Sequence, residues 1–177
     1  MKQQILICGV GGQGIVLMSR LLGETALLLD LFILSSETHG MAQRGGIVTA
    51  HVKVGGFASP LISVGYADII FILKDETLAQ FRHFLHPNGF IIVNSKKQYE
   101  GRIISFDADG FVRSLDNPMA ANIAMLGAIF SKRAMAMGVN LFCTMHEIER
   151  AMINILASKI DLLEKSINIF RKSYMEL

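Results

Sequence analysis

One hexapeptide constrains this chain more than any other feature: Gly9-Val10-Gly11-Gly12-Gln13-Gly14, set between a short apolar run and a long apolar helix. Gln4-Ile5-Leu6-Ile7-Cys8 is uncharged and rich in branched residues, so it reads as a buried parallel strand. Ile15 to Leu29 contains no proline and one glycine, Gly23, and reads as a buried helix. Gly9, Gly11 and Gly14 therefore match G-x-G-x-x-G in its strand–turn–helix context. In that pattern the first glycine permits the tight turn, the second lets a ligand approach the backbone, and the third allows close packing. Amides at the helix start would face that ligand, and the helix dipole favours a negative charge there. A glycine turn that serves only helix–strand packing is the competing reading.

The next residues depart from an ordinary dinucleotide site. The second strand is read as Leu31-Phe32-Ile33-Leu34, and an NAD enzyme would carry an acid at its end, about 20 residues past the glycines. Ser35 and Ser36 stand there instead, with Glu37 slightly later. The polar stretch Ser35 to Gly46 reads as a loop at the carboxyl edge of the sheet, where open α/β folds bind ligands. Glu37, His39, Gln43 and Arg44 would then share a crevice with the glycine turn.

Ile47 to Val54 alternates, with Val48, Ala50, Val52 and Val54 on one face and Thr49, His51 and Lys53 on the other. That spacing predicts a half-buried antiparallel strand. Gly55-Gly56 predicts a hairpin turn returning through Phe57 to Ser63, with Pro60 confining the return strand to an edge. Asp68 to Leu73 is a buried strand. Asp75 caps a predicted helix through Leu78, Phe81 and Leu85. His83 and His86 in its last turn have metal-ligand spacing, but cations at a helix C-terminus explain them more simply. Pro87-Asn88-Gly89 is a turn, followed by strands at Phe90 to Asn94 and Arg102 to Phe106.

From Asn117, with Pro118 in the first turn and Gly138 at the close, the chain is predicted helical. Asn122 is the polar exception in an apolar helix, so it either braces a loop or reaches the ligand crevice. Thr144 and Glu147 form a capping box for a further helix. Asp161 opens the last helix, with Leu163, Ile167, Phe170 and Tyr174 as its stripe. The whole is expected to be an α/β, Rossmann-like three-layer domain spanning residues 1–177. It has a mostly parallel sheet, an inserted antiparallel hairpin and a C-terminal helical region.

Composition narrows the function. Hydrophobic residues make up 51% and charged residues 18%, with mean hydropathy +0.43. A large core or a covered subunit surface must account for that excess. The net charge of +2 and the absence of long basic runs argue against nucleic acid or an anionic membrane as partner. No stretch reads as a membrane span or a signal peptide, so a cytoplasmic location is expected. The two cysteines, Cys8 and Cys143, cannot supply the four thiolates of an iron–sulfur cluster.

The glycine turn, the run Glu37-Thr-His-Gly-Met-Ala-Gln-Arg-Gly-Gly46 and the helix after Asn117 together resemble one family. That family is the gamma subunits and domains of 2-oxoacid:ferredoxin oxidoreductases. The wording from His39 to Gly46 is most similar to the small beta subunit of indolepyruvate ferredoxin oxidoreductase. The resemblance implies a subunit without catalysis of its own, packed beside the thiamine site of a larger partner. Thiamine diphosphate and 4Fe-4S clusters would sit on partner subunits, and ferredoxin would be reached indirectly. No cofactor is assigned to this chain itself, although it could help receive coenzyme A. The expected binding residues are Gly9, Gly11, Gly12, Gln13, Gly14, Glu37, Arg44, Gly45 and Gly46; no residue is expected to be catalytic. The competing readings are a stand-alone NAD(P)-dependent dehydrogenase and a pure assembly domain. A homodimer of the isolated chain also stays open.

Overall fold

The computed structural model describes residues 1–40 and 46–177. Arg44 and Gly45, like Gln43, lie outside the described residues.

The central strand β1 (Gln3–Val10) forms where expected. Ile5, Leu6, Ile7 and Cys8 are fully buried, because helices or loops cover both faces. Burying each of the large aliphatic side chains contributes about 1.5–3 kcal/mol. Helix α1 (Ile15–Leu28) crosses over one face to β2 (Ile33–His39). There follow β3 (Ile47–Val54), β4 (Ala67–Ile72), β5 (Leu85–Asn94) and β6 (Ile103–Phe106). The sheet order is β2-β3-β1-β4-β5-β6. β3 runs against both β1 and β2, while β1, β4, β5 and β6 are mutually parallel. The chain leaves β1 toward β2 on one side and later builds β4 on the other. Their carboxyl ends diverge at the glycine turn, the crevice where open sheets take ligands.

The antiparallel hairpin is present, but its arms are β2 and β3. Ile33 pairs with Val54 and His39 with Val48, so Ser35 to Glu37 are strand rather than loop. Phe57 to Ser63 forms no return strand. Instead it lies over β3 as an irregular strap, anchored where the Ile62 N–H donates to His51 Nδ1 (3.1 Å). β3 is consequently buried on both faces, not half-buried: Thr49, His51 and Lys53 are each at most 9% exposed. The apolar face reads as expected, since Val48, Ala50, Val52 and Val54 all join the main core. The other face failed as a solvent face because its cover is irregular and carries no periodic signal. Lys53 Nζ escapes along the Phe57 ring, 5.0 Å from its centroid.

The helix expected from Asp75 to Leu85 is broken. A 3-10 turn at Asp75–Thr77 leads into α2 (Leu78–Phe81) and a second 3-10 turn at Arg82–Phe84. β5 then starts at Leu85. Ala67 pairs with Leu85 but Ile69 with Phe90, so the Pro87-Asn88-Gly89 turn survives as an excursion inside β5. His86 Nδ1 accepts the Asn88 N–H there (3.2 Å), and the His83 ring packs on Phe84 at 4.6 Å.

The C-terminal region is helical in more pieces than expected. Asp107 caps a short helix, α3 (Ala108–Ser114), by accepting from the Gly110 N–H (2.9 Å). The Asn117–Gly138 run divides into α4 (Ala121–Ala128) and α5 (Lys132–Ala136), the second capped by Ser131. Asn117 therefore caps no helix; its carbonyl accepts the Ala120 N–H in a turn. Gly138 does close the run, at φ +81°. The Thr144–Glu147 capping box opens α6 (Met145–Leu156) as read. In α7 (Ile160–Glu176) the fully buried face is Ser166, Ile169, Phe170 and Ser173, while Leu163 and Ile167 of the expected stripe pack, partly buried, against the same core. These helices and α1 cover one face of the sheet in a single core. α2 and the strap cover the other with a smaller one. The three layers are unequal.

Candidate functional site: the glycine turn at the sheet's carboxyl edge

The turn between β1 and α1 divides its glycines into two inward and two outward. A Cβ on Gly9 would come within 2.6 Å of Gln13 Oε1 and 3.1 Å of Ile15. A Cβ on Gly14 would lie 2.8 Å from Asn122 Cγ, and Gly14 sits at φ +76°. Those two positions need glycine for packing. Gly12, at φ +92°, has nothing within 4 Å of such a Cβ, and Gly11 has only the Gly46 carbonyl at 3.9 Å. A ligand can therefore approach the backbone at Gly11 and Gly12.

Gln13 holds the turn rather than the ligand. Its Oε1 accepts the Val10 N–H (2.9 Å) and its Nε2 donates to the Leu73 carbonyl (2.9 Å) at the end of β4. That carbonyl also receives Asn94 Nδ2 (3.2 Å), so side-chain amides tie together the ends of β1, β4 and β5. Asn122, 2% exposed on α4, donates Nδ2 to the Gly14 carbonyl (3.1 Å). It braces the turn, the first of the two roles its position allowed.

The amides sort likewise. Gly11 donates to the Gly46 carbonyl (3.0 Å) and Gln13 to Val10 (3.2 Å). Among the described residues, the amides of Gly12, Ile15, Val16 and Leu17 have no partner, as the first turn of a helix without a side-chain cap requires. Gly12, Ile15 and Val16 border a shallow hollow of about 220 Å³ walled also by Val10 and Val48. Glycine backbone, unpaired amides and a helix N-terminus suit an anionic group attached to an apolar one. A larger hollow, about 770 Å³, lies past β6 beside Phe111, Arg133 and Lys172. Asp107 and Glu176 also line it, so its charges nearly balance.

Gly46 is brought to the turn through its bond with Gly11, and the Gly40 N–H closes the hairpin on the Ile47 carbonyl (2.7 Å). Glu37 is not brought there. It is exposed on β2, in register with Ala50 and through it with Ile7. A dinucleotide site places β2 directly beside β1, whereas here β3 separates them and carries Glu37 two strands from the glycines. That arrangement argues against an adenine-ribose role. Reading the sequence alone missed Val48 and the Leu73 carbonyl, because only sheet order and register bring them to the turn.

Cys8 and Cys143 are free and buried. Burial pushes both thiols up, with Glu147 adding to the effect at Cys143, so neither is poised as a thiolate. Among the described residues no three His, Cys, Asp or Glu side chains group as a metal site. No helix among them is long and apolar enough to cross a membrane.

Residues 4–176 match the model of the family described as pyruvate ferredoxin/flavodoxin oxidoreductase. The indolepyruvate oxidoreductase subunit IorB of Archaeoglobus fulgidus is 28% identical, over 90% of this chain and 89% of that one. The pyruvate oxidoreductase subunit PORC of Thermotoga maritima superposes with a TM-score of 0.78 at 21% identity, covering 98% and 95%. A 2-oxoglutarate:ferredoxin oxidoreductase from Magnetococcus marinus, solved with 2-oxoglutarate, coenzyme A and succinyl-CoA, gives 0.75 at 14% identity. This chain covers only 30% of that longer one. Because that family model matches residues 4–176, nearly the whole chain, the chain belongs to the pyruvate ferredoxin/flavodoxin oxidoreductase family, as a homologue of small subunits such as IorB.

Proposed function

We propose that this chain is the gamma-type subunit of a 2-oxoacid:ferredoxin oxidoreductase, inactive alone, whose glycine turn receives the anionic part of coenzyme A. The observation that carries the reading is the family match over residues 4–176 on a chain whose outward glycines and α1 amides border one hollow. Thiamine diphosphate and 4Fe-4S clusters belong to partner subunits on this reading; two buried cysteines do not fit a cluster that needs four thiolates. The partner's thiamine supplies the decarboxylation chemistry. This chain contributes binding: unpaired amides at Gly12, Ile15 and Val16 hold negative charge, and the valine side chains pack against its apolar neighbour. Arg44 would add a cation able to grip phosphate in a bidentate fashion, beside Gly46, whose carbonyl accepts the Gly11 N–H.

The IorB relative supports an arylpyruvate as the 2-oxoacid. Ferredoxin, reached through the partner's clusters, supports a cytoplasmic site of action. Without its partner, the chain would pair with itself through exposed apolar side chains such as Leu61, Val64 and Tyr66. Arg44→Ala in the reconstituted complex tests the binding role. A raised KM for coenzyme A with assembly intact supports it, whereas lost assembly with unchanged KM in the residual complex makes the chain a scaffold. A panel of pyruvate, 2-oxoglutarate and indolepyruvate tests the substrate assignment.

A further inference from the structure

Helix α4 is buried almost throughout, with Ile123, Ala124, Met125 and Leu126 at most 2% exposed around one amide, Asn122. A buried amide needs a partner, and Asn122 finds it in the Gly14 carbonyl, 108 residues away in sequence (3.1 Å). That carbonyl already accepts the Met18 N–H at 3.1 Å, so it does not need Asn122 to be satisfied. An apolar side chain at 122 would leave no unmet group on the turn. Gly14, a left-handed N-cap with no side chain, gives α1 no cap of its own. The Ile15, Val16 and Leu17 amides are therefore left free, while Asn122 holds the Gly14 carbonyl at the same helix end.

Resting on the anion-site reading above, we infer that Asn122 is a positioning residue for the glycine turn. Its donor pins the Gly14 carbonyl from the helical layer, while Gln13 pins Val10 and Leu73 from the sheet. Gly14 lacks the Cβ that would push Asn122 away. α4 is itself held close to α7 at Gly127, where a Cβ would come within 2.5 Å of the Phe170 carbonyl. The turn is thus clamped between two layers, with the Gly12 and α1 amides left facing outward. Preorganised donors of this kind bind an anion without first reordering.

The test uses the complex reconstituted with its large subunit and coenzyme A as the probe. Asn122→Leu removes the donor but keeps an apolar core; Asn122→Asp keeps the shape and loses the donor when ionised. The expected result for Asn122→Leu is a KM for coenzyme A raised about tenfold, from one hydrogen bond, with kcat within twofold and assembly intact. Asn122→Asp should show a KM penalty that shrinks as the pH falls and the protonated carboxyl donates again, a profile that wild type and Asn122→Leu lack. A merely structural amide would lower kcat and stability together and give no such profile; that result overturns the proposal. Gly12→Ala, placing a methyl group in the approach path, is the control. A KM raised by Gly12→Ala alone defeats the role of Asn122 and leaves the anion site standing. No change from any of the three variants defeats both.

Discussion

Replacing Gly14 by alanine should be the most damaging single-methyl change in the turn, and its size can be worked from the geometry. Two terms add. A non-glycine residue at φ +76° costs about 1–2 kcal/mol in the left-handed region. The new Cβ would also sit 2.8 Å from Asn122 Cγ, so Asn122 must move off the Gly14 carbonyl. Leaving a buried donor unpaired costs about 1–3 kcal/mol, for a total of roughly 2–5 kcal/mol. Gly12→Ala meets only the first term, because nothing lies within 4 Å of its Cβ. Urea unfolding of the full chain at pH 7 separates them. With a slope of about 2 kcal/mol/M, Gly14→Ala should lower the midpoint by roughly 1–2.5 M, against under about 1 M for Gly12→Ala. In an Asn122→Ala background the steric term vanishes and the Gly14→Ala penalty should fall to its backbone part. Equal midpoints for Gly12→Ala and Gly14→Ala, or full additivity with Asn122→Ala, would refute the reasoning.

Phe170→Ala, emptying a fully buried site edge-on to Phe130, should cost about 3–5 kcal/mol, measured by the same unfolding. Gln13→Ala removes two bonds that tie Val10 and Leu73 to the turn. It should cost about 1–3 kcal/mol and raise the KM for coenzyme A in the complex more than it lowers kcat. His51 is held neutral, its pKa lowered by burial and then by the nearby Lys53 charge, while Nδ1 accepts from Ile62. The unfolded state therefore binds more protons, so stability is full above about pH 6.5 and is lost as the pH falls toward the folded pKa. Thermal melts between pH 5 and pH 8 should show this slope in wild type and lose it in His51→Gln.

The sheet's parallel half was legible because β1, β4 and β5 are buried on both faces and read as continuous apolar runs. The Thr144–Glu147 box and the inward face of β3 were legible for similar reasons: each rests on a local rule. The errors share another cause. Phe57 to Ser63 reads as a hairpin arm because Gly55-Gly56 resembles a two-residue turn, yet β2 and β1 occupy both pairing edges of β3. Ser35 to Gly46 reads as a loop because it is polar and punctuated by glycine, and pairing with β3 overrides that from Ser35 to His39. In the site, the glycine pattern predicted where backbone could be approached. It could not reveal that Gly9 and Gly14 are consumed by packing, since that depends on the Gln13 side chain folding back over the turn and on Asn122 arriving from α4.

The most direct measurement is an omission experiment on the reconstituted oxidoreductase. The large subunit, this chain and their mixture are assayed separately for 2-oxoacid- and coenzyme A-dependent ferredoxin reduction. The account predicts no turnover from this chain, little from the large subunit, and full coenzyme A-dependent turnover from a stable complex of the two. Turnover by this chain alone, or a large subunit equally active without it, would contradict the central claim.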